Sequence, residues 1–67
     1  MNAMEAAVQL RRTMGERREA RRIIIKYLRE HMNALPDGNT QRRVMHYPSD
    51  LSDQRLLDLV QSVREVQ

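Results

Sequence analysis

The sequence predicts an all-α protein, and three observations predict it. Residues 2–34 are dominated by Ala, Glu, Arg, Met and Leu, and no Pro interrupts them. Pro36-Asp37-Gly38-Asn39 is then a compact stop and turn signal. Beyond it, Leu56, Leu59, Val60, Val63 and Val66 recur at helical spacing to the end of the chain.

The first segment reads as one long helix, or two joined ones, over residues 3–34. Asn2 suits the N-cap, with Glu5 three residues on in the manner of a capping box. Ala7, Leu10, Met14, Ile24, Ile25, Leu28, Met32 and Leu35 share one face. Gly15 is the weak point, costing about 1 kcal/mol against Ala in a helix interior, and marks a kink or a close backbone approach.

Residues 35–52 read as turn and connection. Thr40–Pro48 is irregular, with extended character at Arg43–Tyr47, because Pro48 biases the residue before it toward extended geometry. A second helix is expected over 53–66. Ser52 is its N-cap, Asp53 favours the first turn, and Leu51 with Leu56 matches a hydrophobic staple.

The architecture expected is a helical hairpin with unequal arms in a single domain, 1–67. At helical rise the arms measure about 48 Å and about 21 Å. The short arm cannot cover the long one, which leaves Ala7, Leu10 and Met14 without intrachain cover. A homodimeric bundle follows as the expectation. Size points the same way, since a domain this small buries only about 60% of its unfolded surface. The chain has no Cys to form a staple and no Phe or Trp to enlarge the core.

Composition narrows the function. No Cys is present, and His31 and His46 alone make a poor zinc set, so no metal is expected; His31 reads as a residue favourable to a helix C-terminus. Ser49, Ser52 and Ser62 lack a base and orienting acid at a recognisable spacing, and Gly15 and Gly38 stand alone, which gives no phosphate loop. No cofactor and no enzymatic activity are expected. No signal peptide is evident and apolar runs such as Ile23-Ile24-Ile25 are far too short to span a bilayer, so a cytoplasmic protein is expected.

The strongest signal is charge. Formal net charge is +3, but residues 11–29 hold eight cations against Glu16 and Glu19. Arg11, Arg18, Arg22, Lys26 and Arg29 fall in one sector of the helix, a stripe about 27 Å long. The stripe can track phosphates. It can equally be a solvated face paired with Glu5, Glu16, Glu19 and Glu30 through Arg12–Glu16, Lys26–Glu30 and Glu19–Arg22. Ile25 adjoins it, giving an apolar strip edged by guanidinium groups suited to an acidic patch on a larger protein.

Arg17 and Arg21 instead point along the seam formed by Ala7, Leu10, Met14, Ile24, Leu28 and Met32 with Leu56, Leu59, Val60 and Val63. In a folded-back hairpin Arg21 is expected to meet Glu65 or the terminal carboxylate; alternatively the two arginines mark a break between two packing surfaces, or grip an acidic patch on a partner. Arg42, Arg43, Val44, Met45, His46 and Tyr47 form a secondary candidate, a recognition loop.

The functional expectation is a non-enzymatic protein–protein interaction module, a dimeric regulator or inhibitor of a larger protein. Its size suits a phage or mobile-element product acting on a host factor. The alternative is a small nucleic-acid-binding protein using the arginine stripe; the seam arginines and the lack of Trp and Phe argue against a membrane surface.

Overall fold

The computed structural model describes residues 2–12 and 17–66, Arg12 by its backbone alone. Among these residues there are four α-helices and no strand: α1 (Ala3–Arg12), α2 (Arg17–Glu30), α3 (Gly38–His46) and α4 (Asp53–Val66). Short 3-10 turns at Met32–Ala34 and Pro48–Asp50 flank α3. The all-α expectation holds; the two-helix hairpin does not.

The first correction concerns residues 3–34. The longest extent of the molecule is 31 Å, so a straight helix of about 48 Å does not fit in it. In its place α1 and α2 pack side by side. Asn2, Ala3 and Met4 lie beside Tyr27, near the far end of α2, so the two run antiparallel. Met14, Gly15 and Glu16 lie outside the described residues. Asn2 does cap α1, accepting from Glu5 N at 2.9 Å.

The second correction is α3, which occupies the stretch expected to be irregular. Asp37 is its N-cap, with the carboxylate accepting from Thr40 N at 2.7 Å. That bond, foremost, holds the Asp37 carboxyl below its ordinary range. Val44 and Thr40 bury one face of α3, and Tyr47 closes the helix by donating its N–H to the Arg43 carbonyl. The Gln41 side chain donates to the Met32 carbonyl, tying α3 to the turn before it.

The third correction is direction. The helix α4 begins beside the start of α2, where Asp53 meets Arg17 and Arg21, and its Arg64 lies by Tyr27. It therefore runs in the same sense as α2. Residues 31–52 return the chain to the start of α2 before α4 begins, which a simple hairpin cannot do. The start of α4 is as expected: Ser52 Oγ accepts from Arg55 N at 3.1 Å, and Leu51 and Leu56 are both buried.

The core is aliphatic. Ala6, Ala7 and Leu10 from α1, Ala20, Ile24 and Leu28 from α2, Val44 from α3, and Leu56, Leu57, Leu59, Val60 and Val63 from α4 form one cluster with Leu35 and Leu51. Met32 is partly buried against it. Ala7 and Leu10 are only 8% and 9% exposed within a single chain. Two of the three positions expected to need a second copy, Ala7 and Leu10, are thus covered within a single chain, because α1 packs onto α2 and α4, while Met14 lies outside the described residues. His31 ends α2: a carbonyl can only accept, so its Nδ1 donates to Tyr27 O at 2.8 Å, and its ring packs on Tyr27.

A cationic groove beside helix α2

Two consequences of helical spacing meet on α2. Ala20, Ile24 and Leu28 turn inward and are fully buried. Arg18, Arg22, Lys26 and Arg29 turn outward and are exposed, with Ile25 half-buried among them. The Pro48–Asp50 turn stands opposite this outer face. Between them lies an open groove of about 980 Å³ lined by Arg17, Arg18, Arg21, Arg22, Ile25, Lys26, Arg29, Pro48 and Ser49.

The wall at Pro48–Leu51 is held by a clamp. Arg21 reaches from α2 and donates to Asp53 Oδ1 at 2.6 Å, Leu51 O at 2.8 Å and Pro48 O at 3.2 Å. Arg17 Nε pairs with the other Asp53 oxygen at 2.6 Å. Burial opposes ionisation of Asp53, but the hydrogen bonds and charges of Arg21 and Arg17 outweigh it, so the carboxyl titrates below its ordinary range. Two guanidinium groups at the positive end of α4 are tolerable because Asp53, in its first turn, lies between. The seam arginines thus have a structural role as anticipated, with a different partner: Asp53 at the start of α4 replaces Glu65 near its end.

The other cations divide by what holds them. Arg29 donates to Val44 O and Met45 O, both at 3.1 Å, and so closes the end of α3 while keeping its full charge. Arg22 pairs with Glu19, the surface pair expected from the sequence; the Arg22 hydrogen bond lowers the Glu19 pKa. With both partners more than half exposed, such a pair is weakly held and yields readily to a competing anion. Arg18 and Lys26 make no ion pair among the described residues; the Lys26–Glu30 pair is not formed. Arg12–Glu16 lies outside what is described.

Charge arithmetic identifies this face as the electrostatic centre of the molecule. Its six cations against Glu19 and Asp53 leave an excess of four, while the whole chain carries +3. The remainder is therefore slightly acidic.

Of the predicted stripe, Arg18, Arg22, Ile25, Lys26 and Arg29 come together here, and Arg11 does not. Arg11 is exposed on α1, and a stripe drawn along one continuous helix loses its register once α1 and α2 are separate. Sequence reasoning missed the wall, Pro48 and Ser49, because nothing in their spacing says which helix they face. Of the secondary candidate, Arg42 to His46 belong to α3 rather than a loop; Val44 is buried in the core, and Met45 and Tyr47 are 43% and 54% exposed. His46 packs edge-on to Tyr47, next to the groove's Pro48. Arg42 and Arg43 are exposed outside the groove.

Among the described residues no three His, Cys, Asp or Glu side chains converge as metal ligands, and no helix is long and apolar enough to cross a membrane. Comparison with protein-family models, curated proteins and solved structures finds no match to this chain.

Proposed function

We propose that this protein is a non-enzymatic binding module that docks its α2 groove onto an acidic surface of a larger protein and regulates or inhibits that protein by occupying it. The observation that carries the reading is the concentration of charge: an excess of four cations at one groove exceeds the +3 of the whole chain. Such a distribution attracts an anionic partner over distance and orients it before contact. Arginine then adds stem contact and forked hydrogen bonds, which Lys does not supply. The groove's cations are also partly preorganised. Arg29, Arg21 and Arg17 are already fixed by partners within the protein, so less side-chain freedom is lost on binding. A single chain suffices for this docking, since Ala7 and Leu10 are covered within it.

Affinity capture from source-cell lysate, with nuclease-treated and mock arms, tests the reading when run with wild type and an Arg18→Ala/Arg22→Ala/Lys26→Ala variant. A protein retained after nuclease treatment by wild type alone supports it. Loss of all specific capture on nuclease treatment overturns it.

A nucleic-acid reading keeps one observation of its own: the exposed Tyr47 ring with His46 at the groove's edge, a place where an unpaired base can stack. It predicts binding that falls steeply with salt, with the slope reduced by about two contacts' worth in Arg18→Ala/Arg22→Ala.

A further inference from the structure

We infer that the groove's occupant is an acidic α-helix, laid along α2 between residues 18 and 29. This rests on the reading above that the partner is a protein with an anionic surface, and adds the form that surface takes.

Arg18, Arg22, Ile25 and Arg29 are separated by four, three and four residues. That alternation keeps the four positions on one face of the helix, where a partner laid along α2 would meet them together. At 100° per residue the four lie within an arc of about 60°. The core face of α2, Ala20, Ile24 and Leu28, is a separate row directed elsewhere and fully buried. Helix α2 therefore carries two packing seams, one filled by the protein's own core and one open to solvent.

Composition states what the open seam receives. Three of its four positions are arginines, flanked by Lys26, and the fourth is the half-buried Ile25. A complementary helix presents carboxylates opposite Arg18, Arg22 and Arg29 and one apolar side chain over Ile25. The seam is about 16 Å long, which matches three turns of a partner. Pro48 and Ser49 form the second wall, so the occupant lies in a trough, the arrangement of helix-in-groove recognition.

An extended peptide is disfavoured because no strand, and so no open sheet edge, exists among the described residues to pair with it. Nucleic acid is disfavoured because, among the described residues, the only aromatic groups nearby, Tyr47 and His46, stand at the edge and none lines the groove itself, where Ile25 sits among the cations. A second copy meeting this one groove to groove is disfavoured by charge, since cationic seams repel each other.

The test uses the full chain and synthetic probes in fluorescence anisotropy near physiological ionic strength. One probe is a three-heptad peptide with Glu at most seam positions and Leu at the one facing Ile25. A second has the same composition with the seam order scrambled, and a third is a short mixed-sequence DNA. The patterned peptide is expected to bind about ten-fold or more tightly than the scrambled one and to gain helical circular dichroism on binding. Arg18→Ala/Arg22→Ala is expected to remove that preference with thermal melting unchanged. Arg18→Lys/Arg22→Lys, which keeps the charge but loses the fork, falls between. Equal binding of patterned and scrambled peptides overturns the helical occupant and leaves the acidic-protein reading standing. Tighter binding of DNA than of either peptide overturns both. Failure of the patterned peptide to bind at about 100 µM overturns the helix.

Discussion

Replacing Arg21 by Ala tests whether the groove's wall depends on the clamp. Arg21 is 18% exposed and reaches residues 27, 30 and 32 positions away in sequence through its bonds to Pro48, Leu51 and Asp53. Hydrogen bonds to charged groups contribute about 1.5–3 kcal/mol each. Their simple sum overstates the effect for two reasons: Asp53 is 30% exposed and keeps Arg17, and the freed carbonyls of Pro48 and Leu51 gain water. The expected loss is about 2–3 kcal/mol. A chain of this length has a total stability of about 3–10 kcal/mol, so the melting temperature should fall by roughly 10–20 °C. Circular dichroism melts and urea titrations measure the change. Arg17→Ala is the control: Arg17 is 47% exposed, and its loss should cost about 0.5 kcal/mol. If Arg21→Ala melts within experimental error of wild type, or no lower than Arg17→Ala, the clamp does not hold the wall.

Three further outcomes are expected. Leu10→Asp should unfold the single chain, at a cost of several kcal/mol; a melting temperature of wild type that rises with protein concentration would instead restore the dimer. The Asp53 carboxyl is depressed in the folded state, so its stabilisation is full above the unfolded value near 3.9 and is lost as pH falls through the lower folded one. Below about pH 4 the melting temperature of wild type should therefore drop, and Asp53→Asn should be less stable at neutral pH with a shallower acid limb. Gly38→Ala should stabilise by about 0.4–1 kcal/mol, because Gly38 lacks a positive φ and open space surrounds the place of an added Cβ; urea unfolding reads the sign directly.

The parts of the fold legible in the sequence are those set by local bonds. Asn2 and Ser52 declare the starts of α1 and α4 because a cap needs only a side-chain oxygen and an amide three residues on. The helix α3 was illegible because Asp37-Gly38-Asn39 is equally good as a turn. Its nine residues also bury only Thr40 and Val44, too few to show a period. The cation face of α2 could be read by angle alone, since Arg18 to Arg29 sit on one uninterrupted helix. Its missing wall could not, because Pro48 and Ser49 reach it only through Arg21, and no periodicity links residue 21 to residue 53. The same non-locality hid the direction of α4. The apolar spacing of Ala7 and Leu10 shows that they need cover, but what supplies it depends on whether α1 continues into α2 or folds onto it.

Closing the Arg21–Asp53 contact ties off a loop of 32 residues, at an entropic cost of about 3 kcal/mol beyond a constant. The α1–α2 pairing is nearer in sequence and is reached first in a chain that favours local contacts. The groove is consequently incomplete until residues 48–53 have met α2. A chain in which only α1 and α2 have associated displays the same arginines on a bare helix, with no trough around them. Opening of the segment around residues 48–53 would return a folded molecule to that condition without melting its first two helices. Under the docking reading proposed above, a partner that fits the trough would therefore select chains in which residues 48–53 have met α2.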